Sequence, residues 1–135
     1  MRRILVTYGA LCAGSLLACA ATQTPSSPSQ SAGPPTVNSL SPSSGKIGAA
    51  VVVNGSNFTP SGNQVKFGLG YIGHLPSDDG KTLRFVVPDT LSPCPPDSTD
   101  PCPTILARVA PGASYQVAVI AHGESSNTAT FTVTQ

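Results

Sequence analysis

His74 lies four residues before Asp78 and five before Asp79, and His122 lies two before Glu124. Imidazoles beside carboxylates are the raw material of a metal site or of a histidine–carboxylate proton relay. Neither cluster supplies a third ligand at a diagnostic spacing, and both fall in turn-rich sequence, so both are read as turn residues. Asp97 and Asp100 offer oxygen ligands of the kind calcium takes, but only two carboxylates are present. Serine is abundant, yet no Gly-x-Ser-x-Gly elbow exists to activate one. The expectation is a chain with no catalytic residue, no metal and no cofactor.

Cysteine carries the remaining chemistry. Cys94-Pro-Pro-Asp-Ser-Thr-Asp-Pro-Cys102 is loop-like, with no histidine near it in sequence. If the chain is exported, a disulfide is the default for such a pair. Closing a loop of about nine residues would remove roughly 2.5 kcal/mol of unfolded-state entropy. Export is indicated at the N-terminus. Arg2 and Arg3 precede a nearly charge-free apolar run from Ile4 to Leu17, and small residues lead into Cys19. A run that short is a signal-peptide core, since a membrane span needs about 20 residues.

Leu16-Leu17-Ala18-Cys19 resembles the lipobox of bacterial lipoproteins, which implies that the sulfur of Cys19 is lipidated and the chain cut before it. Ala18-Cys19-Ala20 also fits the small-x-small rule of ordinary secretory cleavage, which would release a soluble domain. The expected boundaries are a signal peptide over 1–18, the lipidated cysteine and a linker over 19–35, and a folded domain over 36–135. The linker is a Pro, Ser and Thr tract with nothing larger than Gln. It cannot nucleate a core and is read as a solvated tether holding the domain roughly 20–25 Å from the lipid, at about 5–6 Å × √n.

Seven basic residues face six acidic ones in the whole chain. Losing Arg2 and Arg3 with the signal leaves five against six, a net charge of −1. No basic patch remains to hold a phosphate backbone, so nucleic acid is not an expected partner.

The elements that must position these residues are strands. Fourteen prolines, thirteen glycines and no tryptophan suit short strands with frequent turns. Alternation is clearest over residues 128–134, where every second residue is apolar and the rest are Thr. Tyr115, Val117 and Val119 repeat it, joined to the last strand through 122–127. Upstream, Leu83, Phe85 and Val87 form a strand entered through Ser77-Asp78-Asp79-Gly80 and stopped by Pro88. Val65 with Phe67, Val51 with Val53, and Thr36 to Leu40 complete the set. Phe131 and Val133 join these apolar residues as the expected core, while Phe58 is left open. Gly45, Gly48 and Gly55 are read as serving turns and bulges that need positive φ. The architecture expected is all-β: an immunoglobulin-like β-sandwich of about seven short strands.

Pro35-Thr-Val37-Asn-Ser-Leu40-Ser-Pro42-Ser-Ser-Gly45-Lys-Ile-Gly48, then Val51-Val-Val53-Asn-Gly55-Ser-Asn57-Phe58, resembles the opening of IPT/TIG domains. The resemblance continues through Val65-Lys-Phe67-Gly68, Phe85-Val-Val87-Pro88, Gly112-Ala-Ser-Tyr115-Gln-Val117-Ala-Val119 and Ser126-Asn127 before Phe131. It covers essentially all of 35–134. Tyr115 sits where a tyrosine corner would cap upstream backbone. The chain departs from the family between Pro88 and Pro111, where the cysteine loop and Thr104-Ile-Leu-Ala-Arg-Val109 form an insertion expected at one end of the sandwich.

The functional expectation is a non-catalytic, lipid-anchored protein of the cell envelope, presenting the domain as an interaction or structural module. Its partner would be the membrane through the anchor and an envelope protein of unknown identity. The alternative is a polysaccharide-binding accessory protein. Two segments, 70–76 and 91–103, are read as irregular loops that make the contact, with Tyr71, His74, Asp97 and Asp100 as contact residues.

Overall fold

The computed structural model describes residues 33–135; the signal peptide, Cys19 and nearly all of the linker lie outside the described residues. Eleven strands follow in order: β1 (Thr36–Ser41), β2 (Ser44–Gly45), β3 (Ala50–Ser56), β4 (Asn63–Phe67), β5 (Gly70–Leu75), β6 (Thr82–Val86), β7 (Thr90–Leu91), β8 (Ala107–Arg108), β9 (Ser114–Ala121), β10 (Glu124–Ser125) and β11 (Ala129–Val133). Seven have five residues or more, in keeping with the expected number, and four are two-residue pairings. A three-stranded sheet has the order β1-β3-β6. A six-stranded one runs β2-β11-β9-β4-β5, with β10 paired to β9. β7 and β8 form a separate ribbon.

The two larger sheets bury what alternation points inward. Val51, Val53, Leu83 and Phe85 come from one side; Val65, Phe67, Val117, Val119, Phe131 and Val133 come from the other. Phe67 is at the centre, its ring 6.0 Å from Phe85, 5.9 Å from Phe131 and 4.8 Å from Tyr115. The edge and tilted pairings suit the ring quadrupole, and the Tyr115 ring stacks. Phe58 also belongs to the core. Tyr115 is half-buried, and its hydroxyl accepts a hydrogen bond from the Ala110 amide at 2.7 Å, as a tyrosine corner should.

Two corrections concern the backbone. Of the three glycines expected at positive φ, only Gly48 is there, at 86°. Gly55 is required for a different reason: a Cβ on it would collide with the carbonyl oxygen of Thr36, across the bulged pairing of β1 and β3. Secondly, residues 70–75 form strand β5, the edge partner of β4. The two join through Gly68-Leu69, a two-residue turn with φ 61° at its first position, the pattern that type II′ hairpins require. Gly70, Gly73 and a bulge at His74, whose φ is 60°, interrupt the alternation that would mark a strand.

The chain enters at one pole. Thr36 pairs with Ser56, the Asn57 side chain donates to the carbonyl of Pro34, and the Asn127 amide bonds both main-chain groups of Val37. Residues 58 and 80 share this pole through a backbone bond. The opposite pole carries the Gly68-Leu69 turn, the start of β9 and the approach to β8.

Candidate functional site

The two segments expected to act as separate loops lie against each other. The Tyr71 amide donates to the carbonyl of Ser92 at 3.0 Å, and Gln64 Nε2 donates to Asp97 Oδ2 at 2.6 Å. Pro96 covers Gly73 so closely that a Cβ there would meet its ring. The second half of the insertion, residues 104–109, reaches the end of the sandwich expected for it, where β8 lies beside Gly68, Leu69 and Tyr115. The cysteine half runs instead alongside the outer edge of β5. The physical reason is that an edge strand presents unpaired N–H and C=O groups, which natural sheets cover or blunt. Gly70 and Gly73 have no side chains to hold the cover away. Cys94 and Cys102 are joined, with Cα atoms 6.0 Å apart, and so tie the cover into a loop. Reduction is expected to cost at most about 2–3 kcal/mol and leave the sandwich folded. Hydrogen exchange at the Tyr71 amide should then accelerate; an unchanged rate would mean that the loop holds its place without the bridge.

Tyr71 and His74 therefore sit on β5, and the Asp97 carboxylate accepts from Gln64. The Asp100 amide is drawn back to Ser98 Oγ at 3.3 Å. Among the described residues no group of three or more His, Cys, Asp or Glu is placed to hold a metal ion. His122 has φ 54° in the turn it shares with Gly123, and Glu124 pairs with Ala121.

Asp79 is a structural carboxylate. Its Oδ1 accepts from the amides of Lys81 at 2.9 Å and Thr82 at 2.7 Å, and its Oδ2 from the Thr82 hydroxyl at 2.8 Å. These bonds, the Lys81 amide first, favour the ionised form and bring its pKa from 3.8 down to about 2. A lowered folded-state pKa gives stability that is fully present above the unfolded value and lost as pH falls through the folded one. The domain should weaken as pH drops from 3.8 toward 2, and Asp79→Ala should flatten that part of the profile. Urea midpoints measured across that range check it.

Sequence reasoning missed Asn63, which is fully buried. Its Oδ1 accepts from the Thr59 amide (2.8 Å) and hydroxyl (2.6 Å), while Nδ2 donates to the carbonyls of Thr59 (2.6 Å) and Leu75 (2.8 Å). It binds the 57–62 connection to the end of β5.

Sequence reasoning also missed a groove at the pole away from the chain entry. Its volume is about 460 Å³, within the range of roughly 300–1,000 Å³ common for binding pockets. The Gly68-Leu69 turn, Leu91, Ala107, Arg108 and Tyr115 are among its walls. Leu69 is 85 % exposed, and Ile105 and Leu106, leading into β8, are 79 % and 55 % exposed. The Gly68-Leu69-Gly70 and Ile105-Leu106 sequences were the available signals, since apolar residues in turns and loops have no core to enter.

Two packed sheets, antiparallel except where β2 pairs with β11, a tyrosine corner and the strand order define an immunoglobulin-like β-sandwich. The chain belongs to the IPT/TIG domain family, whose model matches residues 35–133. The family consists of immunoglobulin-like modules that are generally non-catalytic, which suggests an interaction module. No match was found among curated proteins.

Proposed function

We propose that this is a cell-envelope lipoprotein, anchored through Cys19, whose IPT/TIG domain recognises another envelope protein by surface contact. The observation that carries the reading is the opposition of the two poles. The tether joins at Thr36, beside Asn57 and Asn127. Leu69 and the groove open at the other end of the sandwich. A tether of 16 residues from Ala20 to Pro35 would then present the apolar surface away from the lipid. A groove bordered by apolar side chains and rimmed by polar ones is a common mark of a docking site.

The test is fractionation of the full chain and of Cys19→Ser, with intact-mass measurement of the N-terminus. The wild-type protein should sediment with membranes and carry acyl mass on Cys19, because two or more chains anchor firmly where one is marginal. The variant should be released. An unmodified N-terminus at Ala20 or Ala21 would overturn the anchor. A crosslinker placed at Leu69 should recover an envelope protein; recovery of polysaccharide instead would overturn the protein-recognition half.

A further inference from the structure

We propose that the groove beside β8 and β9 binds an extended peptide, which adds as a strand along Ser114 and places a carboxylate against Arg108. This rests on the reading of the domain as an interaction module, and it names the partner's chemistry.

The ladder between β4 and β9 pairs Gln64 with Ile120 and Lys66 with Ala118, and it ends where the Gly68 amide donates to the carbonyl of Gln116. Even-numbered residues of β9 therefore direct their main-chain groups toward β4, because ladder bonds alternate sides along a strand. The next would be Ser114, opposite position 70. The chain has turned at Gly68-Leu69, however, and Gly70 pairs instead with Phe67 on the far side of β4. Among the described residues, the main chain of Ser114 has no ladder partner on this side.

A second edge borders the same groove. β8 pairs with β7 through Leu91 and Ala107, and the Val109 amide donates to the carbonyl of Asp89. By the same alternation, Arg108 turns its N–H and C=O away from β7. Among the described residues, the main chains of Ser114 and Arg108, each without a ladder partner on this side, thus flank a groove lined by Leu69, Leu91 and Tyr115. Main-chain groups of this kind are satisfied by an added strand, and the walls then select alternate side chains of it.

Charge selects the rest. Arg108 is the one charged side chain lining the groove among the described residues, and a guanidinium is suited to paired hydrogen bonds with a carboxylate. The occupant is accordingly an extended segment with alternating apolar residues and an acidic group.

A library of random seven-residue peptides displayed on phage, panned against the full mature chain, tests this. Enriched peptides should carry apolar residues at alternate positions and an acidic residue. Their synthetic forms should bind Leu69→Asp and Arg108→Gln at least tenfold more weakly than wild type. Both positions are exposed, so these variants should fold, which circular dichroism and the urea midpoint verify. Arg108→Glu should shift the enriched peptides from acidic to basic. Absence of enrichment would overturn the proposal. So would peptides bound equally by Leu69→Asp, or concentration-dependent self-association that buries Leu69 in place of a peptide. Loss of the anchor at Cys19 would leave these results untouched, so the two proposals fail separately.

Discussion

Phe131→Ala is expected to lower the stability of the domain by about 3–5 kcal/mol, the range seen when a large buried ring is removed from a packed core. Phe131 is fully buried, its ring 5.9 Å from that of Phe67, and it stands where β11 pairs with β9 through Tyr115. Truncation would leave a void between the two sheets next to the residue that holds the ring cluster together. Small domains have only about 5–15 kcal/mol to lose, so the variant should unfold at a much lower urea concentration and populate unfolded chain on warming. Phe131→Leu keeps most of the volume and should cost less than half as much. A loss below about 1 kcal/mol for Phe131→Ala would mean that the sheets close over the void, and that the core is less tightly packed than the buried rings indicate.

The core was legible because burial of one sheet face writes itself into the sequence with a period of two. Val51, Val53, Val65, Phe67, Leu83, Phe85, Val87, Val117, Val119, Phe131 and Val133 are all buried as expected, and Tyr115 is half-buried because its hydroxyl must reach Ala110. The loop pairing of Cys94 and Cys102 was legible too, since proline-rich sequence between two close cysteines has few other uses.

What escaped were features made by residues distant in sequence. β5 is a strand because β4 pairs with it on one side and Ser92 bonds Tyr71 on the other, not because residues 70–75 alternate. Its glycines read locally as loop, whereas in the fold they admit the chain that covers the edge. The groove draws its walls from residues 68–70, 91, 107–108 and 114–116, so no single segment announces it. Asn127 stands out in the sequence only as part of the family pattern. Its amide accepts from the Val37 amide and donates to the Val37 carbonyl, standing in for a neighbouring strand's peptide group, a role visible only once β1 is placed beside it.

Asn63 shows the same limit most sharply and supports the second large prediction. An asparagine at the head of a strand normally signals a turn, yet this one is buried with both polar atoms fully engaged. Asn63→Ala would strip partners from the Thr59 amide, hydroxyl and carbonyl and from the Leu75 carbonyl. Each buried group left unpaired costs about 1–3 kcal/mol, and water entering the vacated space would recover part of it, so a net loss of about 3 kcal/mol is expected. Asn63→Asp separates hydrogen bonding from volume. A carboxylate can still accept from Thr59, but it turns a lone pair toward two carbonyl oxygens where the amide donated two hydrogens. At neutral pH this variant should therefore be no more stable than Asn63→Ala, although it fills the site. Burial and the facing carbonyls raise the folded-state pKa of the introduced acid, so its deficit should shrink as pH falls from 7 toward the ordinary carboxylate range, where a protonated carboxyl can donate one of the missing bonds. Urea midpoints of the three proteins at several pH values decide the matter. If Asn63→Asp proved as stable as wild type at pH 7, the site would be defined by shape and open to water, and the bonds to Thr59 and Leu75 would not be what holds the end of β5.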